Sequence, residues 1–172
     1  GWPAERINER AREIKQVQDG LGVKQENLYQ LDFPTAELDS LPLSQLVKSI
    51  SDVFLKFKPE EVLLPHSGDV HSDHRVCYDA VMSCTKWFRY PSVKRILTYE
   101  TLSETDAMLD STQSFKPSYF VDISKTLNRN WDLLKVYKSE MHEFPFPRSQ
   151  KAINSLAWLR GSQSGFEAAE AF

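Results

Sequence analysis

The side chains best suited to chemistry lie in one run, Pro65-His66-Ser67-Gly68-Asp69-Val70-His71-Ser72-Asp73-His74-Arg75. Three of the four histidines fall here, interleaved with two aspartates. Imidazole and carboxylate groups are the usual ligands and proton carriers of hydrolytic metal sites. In His71-Ser72-Asp73-His74 the imidazoles stand three positions apart. If Ser72 or Asp73 caps a following helix, His74 falls in its first turn and projects into a crevice. A neutral imidazole can ligate zinc there. His71, on the preceding loop, could act as a general acid or polarise a carbonyl, and Asp73 could hold its tautomer and raise its basicity. The alternative is a polar loop whose histidines only cap and hydrogen-bond. One imidazole or two does not complete catalytic zinc, which takes three protein ligands and an open position for water. His142 is the remaining histidine, far along the chain beside Phe144-Pro145-Phe146-Pro147.

Such a cluster needs a strand before it and a helix after it. The apolar run Glu61-Val62-Leu63-Leu64 supplies the strand, and Val76, Cys77, Ala80, Val81, Cys84 and Trp87-Phe88 mark the helix. Upstream, Pro3 with Ile7, Ala11, Ile14 and Val17 predicts a helix that stops near Gly20 and Gly22. Residues 27–32 read as extended and 33–42 as a loop. Leu43, Leu46, Val47, Ile50, Val53 and Phe54 predict a second helix ended by Pro59. Strands are expected at 93–99 and 119–123, and helices at about 127–141 and 149–159. Helices and strands alternate in the manner of α/β architecture with parallel crossovers. The cluster then sits at the carboxyl edge of the sheet, where open α/β folds gather ligands. The chain opens on a helix. Either the fold begins so, or a first strand and its loop belong upstream of Gly1. Without repeats, low-complexity tracts or a linker, residues 1–172 read as a single domain.

Composition sets modest bounds. With 172 residues, 41% hydrophobic and 26% charged, the chain can bury a real core. A net charge of -3 argues against a general nucleic-acid binder. No apolar run approaches the length of a membrane span, and no secretory signal opens the chain. Cys77 and Cys84, seven apart on one helix, are about 10 Å apart at roughly 1.5 Å rise per residue, too far for a disulfide. They read as buried thiols of a reducing compartment, the cytoplasm.

The string GDVHSDHR followed by a helix resembles the second signature of the LmbE-like (PIG-L) zinc-dependent N-deacetylases. Further matches spread along the chain: Arg10 and Glu13 with Leu21-Gly22-Val23; Trp87 to Pro91 with Tyr99-Glu100; and Lys138-Ser139-Glu140, Pro145 to Ser149, Arg160-Gly161-Ser162 and Ala169 to Phe172. The resemblance implies a Rossmann-like three-layer sandwich with a mostly parallel sheet, the first strand being absent here. It implies hydrolysis of an N-acetyl group from an amino-sugar conjugate of the N-acetylglucosamine type by zinc-activated water. Iron or another divalent ion could take the same ligands. By position, His74 would be the metal ligand and His71 would stabilise the oxyanion or protonate the leaving amine. Asp73 would orient His71, Asp69 would line the sugar pocket, and Arg10 could touch substrate, its alternative being a solvated helix charge. The resemblance also admits a homo-oligomer.

One departure is large. The family's first signature, a His-Pro-Asp-Asp-Glu string that supplies two zinc ligands and the general base, is not in these residues. The expectation is therefore an enzyme seen without its amino-terminal segment, inactive as written. The other reading is a non-catalytic homologue or assembly component that keeps the fold. The aromatic residues read mostly as core and corner packing, with Trp87, Phe88 and Tyr90 alternatively forming a sugar-binding wall.

Overall fold

The computed structural model describes residues 3–172. They form two compact units, one of residues 29–116 with Phe172 and one of residues 3–28 and 117–171. The architecture is mixed α/β, with a parallel strand pair and flanking helices.

In the first unit, α2 (Leu43–Phe57) lays down an apolar stripe headed by Leu46, which is 2% exposed. The helix stops where Lys58 turns left-handed (φ 55) ahead of Pro59. Strand β1 (Glu61–Pro65) then shows the two-residue period of a pleated chain: Val62 and Leu64 are buried, Glu61 and Leu63 exposed. It pairs in parallel with β2 (Arg95–Tyr99), Leu63 opposite Leu97 and Pro65 opposite Tyr99. Parallel neighbours need a crossover. That role falls to α3 (Ser72–Ser83), which packs on β1 and on α2. Leu38, Leu46 and Ala80 form the centre of the core, with Ile50 and Val76 packed against it. Cys84 is wholly buried and donates its thiol to the Val47 carbonyl at 3.6 Å. Both cysteines are free thiols.

In the second unit, α1 (Ala4–Leu21) ends on Gly22, whose φ of 71° lies in the left-handed region that closes a helix. The helix lies where its periodicity predicts, but the buried face differs. Ile7 is 54% exposed, whereas Glu13 and Gln18 are buried. Charge explains the choice at Glu13. Arg10 pairs with Glu13 at 3.3 Å and with Glu140 at 2.5 Å, and its guanidinium lies 4.9 Å over the Tyr137 ring. Arg148 reaches the other Glu140 oxygen at 3.3 Å, and Arg6 approaches at 3.6 Å. Short strands β3 (Phe120–Asp122) and β4 (Ala169–Ala171) pair antiparallel beside α4 (Leu127–Leu134) and α5 (Gln150–Ser164). Ser149 caps α5 by accepting the Ala152 N–H.

Three expectations shift. Residues 27–32 join no sheet: Asn27 ends a short 3-10 turn, the Tyr29 ring packs edge-on to Phe57 at 6.3 Å and Asp32 turns to φ 53°. Helix α4 ends at Leu134 rather than near Met141, because the residues beyond it turn to bring Glu140 to its arginines. Helix α3 starts at Ser72 and ends at Ser83, leaving Trp87 and Phe88 in a turn, 78% and 62% exposed. Among the described residues no helix is long and apolar enough to cross a membrane.

The two faces of β1 predict unequal substitutions. Leu64→Ala should cost about 2–5 kcal/mol in chemical denaturation, through lost burial and a cavity. Leu63→Ala, at an exposed site, should cost about 0.5 kcal/mol or less. Glu140 predicts a pH effect. Burial acts to raise its carboxyl, but Arg10 and Arg148 with the Ser139 hydroxyl outweigh it, leaving the group below its ordinary 4.5. A depressed carboxyl contributes stability above its unfolded value and loses it as pH falls through the folded value. Acid titration of wild type should therefore show a loss of stability below pH 4.5 that is smaller in Glu140→Gln.

Candidate functional site

The cluster is built where β1 hands over to α3. Beyond Pro65 the strand pairing continues for one bond, His66 N–H to the Tyr99 carbonyl at 3.1 Å, so both strand ends meet the loop. The loop turns as the Asp69 N–H returns to the His66 carbonyl, and Arg75 reaches back to donate to the Asp69 and Val70 carbonyls, each at 2.7 Å. Gly68 is required by contact. A Cβ there would lie 2.3 Å from the Gln113 carbonyl oxygen and 2.8 Å from His66 Nε2. The His66 ring meets that same carbonyl at 2.8 Å and the Phe115 ring edge-on.

His71 is the cap of α3. Its backbone is extended, and its Nδ1 accepts the Asp73 N–H at 3.1 Å. A ring nitrogen that accepts carries no proton, so the His71 proton belongs on Nε2. His74 lies in the first turn of α3, its Nδ1 2.7 Å from Asp69 Oδ2. A carboxylate can only accept, so His74 carries a proton on Nδ1, and in the neutral ring the lone pair is on Nε2. The two rings stack at 4.9 Å with 16° between their planes. On two nearly parallel rings, one Nε2 donates and the other accepts.

The carboxylates divide the work behind them. Asp69 is fully buried, with Oδ2 on His74 and Oδ1 receiving the Thr105 hydroxyl at 2.6 Å. Asp73 turns its carboxylate the other way, to the N–H groups of Ala36 (2.6 Å) and Leu38 (3.1 Å), and meets His71 through its backbone N–H. Burial pushes the neighbouring Cys77 thiol up, aided by Asp73. Burial also raises the Tyr99 phenol, with Cys77 and Asp69 adding to it.

His71, His74, Asp69 and Asp73 therefore converge on one loop-to-helix junction. Arg10 belongs to the other unit, where Glu13 and Glu140 engage it. Of the aromatic wall, Trp87 and Phe88 pair edge to face at 5.8 Å, while Tyr90 is buried with its hydroxyl donating to Ser51 at 2.8 Å. His142 lies edge-on to Phe146. Sequence reasoning missed Thr105, and named Arg75 as the end of the run without giving it a role. Arg75 stands directly after the histidine signature, which is a local cue. Thr105 offers none, being 36 positions from its partner.

Among the described residues no three His, Cys, Asp or Glu side chains are grouped to hold a metal ion. An imidazole backed by a carboxylate fits one ligand of a zinc site. It does not fit the set of three that catalytic zinc takes.

Comparison with known proteins gives a consistent result. Residues 2–85 match the family model described as PIG-L, GlcNAc-PI de-N-acetylase. The fold is similar to the crystal structure of the conserved protein TT1542 from Thermus thermophilus, with a TM-score of 0.72 and 22% identity, over 100% of this chain and 73% of that one. It is also similar to the N,N'-diacetylchitobiose deacetylase from Pyrococcus horikoshii, solved with its inhibitor MPG, with a TM-score of 0.71 and 19% identity. That match covers 96% of this chain and 62% of the deacetylase, so the chain spans less than two thirds of its length. No curated protein sequence matches significantly. Residues 2–85, which hold the entire histidine cluster, are thus similar to the PIG-L family, and the likeness read from the signature there is supported over that stretch.

Proposed function

We propose that the chain serves a metal-dependent deacetylase that removes the N-acetyl group of an amino-sugar conjugate. The observation that carries this is the stacked His71–His74 pair with its two Nδ1 contacts, which place Nε2–H on His71 and, in the neutral ring, a free Nε2 lone pair on His74. Amide hydrolysis needs a donor for the carbonyl oxygen and the leaving nitrogen, and an electrophile close to it. The donor is His71 Nε2–H. The lone pair of His74 suits one ligand of a divalent ion, most simply zinc, which when bound supplies Lewis-acid activation of carbonyl and water. The remaining ligands are not among the residues described, and no step is assigned to them. Asp69 acts through His74 by holding Nδ1–H. Asp73 acts through the start of α3 and the 36–38 turn. Arg10, committed to carboxylates in its own unit, has no substrate role in this reading. The amino-sugar class rests on the de-N-acetylase family match and on the chitobiose deacetylase of similar fold. Two free thiols fit a reducing compartment, and we extend the reading to the cytoplasm.

A second reading is a non-catalytic homologue, favoured by the single metal-ligand candidate in the cluster. Release of free amine from N-acetylglucosamine conjugates by the native protein, supplied with zinc, separates the two. The deacetylase reading expects turnover that His71→Ala lowers by about 10²–10⁴-fold with bound metal unchanged. Asp69→Asn should weaken metal affinity by about 10–100-fold. No release from any such conjugate would favour the non-catalytic homologue. Zinc content after exhaustive dialysis adds an independent check: the 172 residues alone should keep well under one ion per chain, since each missing ligand removes binding energy. One tightly held ion per chain would overturn the assignment of His74 as an isolated ligand.

A further inference from the structure

The element that completes the site lies well downstream of the signature. The segment after β2 touches the histidine loop at successive points: the Glu104 carbonyl accepts the Val70 N–H at 3.2 Å, Thr105 meets Asp69, and the Gln113 carbonyl meets His66. Thr105 differs from the other two because it is a side chain that reaches the buried Asp69 carboxylate, and the direction of its hydroxyl is fixed by its neighbours. Residues 101–105 close a turn, the Thr105 N–H bonding to the Thr101 carbonyl at 2.8 Å, and this carries the Thr105 hydroxyl back to the Thr101 N–H. The Thr105 hydroxyl oxygen accepts that N–H at 2.7 Å. Its own proton is left to go to Asp69 Oδ1 at 2.6 Å. The chain of donors thus runs from the Thr101 amide through the Thr105 hydroxyl to the carboxylate, which the His74 Nδ1–H meets from the other side.

We propose that Thr105 is a positioning residue: its hydroxyl, oriented by the Thr101 amide, locks the buried Asp69 carboxylate so that His74 keeps its proton on Nδ1 and its lone pair on Nε2. Asp69 has no water to replace a lost donor, since its side chain is entirely inaccessible. Without the hydroxyl, Oδ1 is a buried acceptor with no partner, a costly state. The carboxylate then turns about its Cβ–Cγ bond in search of another donor, Nδ1 loses a fixed acceptor, and both tautomers of His74 become populated. The proposal deepens the proposed function, resting on it only for what the Nε2 lone pair binds.

The test reads the tautomer itself. Ring ¹⁵N spectra of the full chain are recorded in chelator-containing buffer at one pH, with His74 identified by its signals vanishing in His74→Gln. Wild type should show widely separated Nδ1–H and Nε2 resonances. Thr105→Ser, which keeps the hydroxyl, should preserve that separation. Thr105→Val, close in shape but without a donor, should draw the two resonances together as the tautomers mix. If valine disturbs the packing, Thr105→Ala should give the same convergence with room to spare. A separation unchanged in Thr105→Val or Thr105→Ala overturns the role of Thr105, whatever the activity. Convergence upholds Thr105 whatever the turnover; a native protein that, supplied with zinc, deacetylates nothing counts against the deacetylase reading alone.

Discussion

Everything at the site depends on one carboxylate that has been taken out of water. Burying a charge or a strong acceptor is expensive unless each lone pair is answered. The Asp69 carboxylate is answered from two directions, by the first turn of α3 and by the turn that follows β2, while Arg75 and His66 hold its main chain. The requirement to satisfy it draws a strand end, a helix start and a distant turn to one point. The stacked imidazoles are a consequence. His74 is placed by Asp69, and His71 is placed by the helix whose first turn holds His74.

The second unit shows the same device in a different medium. Glu140 is a partly exposed carboxylate surrounded by arginines, and exposed ion pairs of this kind contribute little singly and more as a network. Its effect is topological more than energetic, since it turns the chain after α4 and buries the polar face of α1. Asp69 works through one hydroxyl and one imidazole N–H in a dry setting, where geometry is held more stiffly. One arrangement suits a scaffold and the other suits a site.

How much of this the sequence discloses follows from the range of the interactions involved. Helices α1, α2 and α3 and strand β1 are written in apolar spacing, and spacing is local. The His71–His74 signature and its position at a strand-to-helix junction are legible for the same reason. The partition of roles between Asp69 and Asp73 is not, because it turns on which carboxylate faces inward, and both lie within a few residues of both histidines. Thr105 and the early end of α4 are illegible for a stronger reason. Each is decided by a partner far away in sequence, and no periodicity records such a partner. Residues 27–32 look extended, but nothing in their composition says whether another strand lies beside them, and none does.

The division of the chain also has a meaning in time. Residues 29–116 make a continuous stretch, and every contact that defines the histidine site, from Ala36 to Gln113, lies inside it. The unit that holds α1 is assembled from the two flanking pieces and closes only when β4 reaches β3. Contacts so distant along the chain form late, since a long loop must first be closed. During vectorial synthesis the chemistry-bearing half can therefore be shaped while α1 is still waiting for its partners to leave the ribosome.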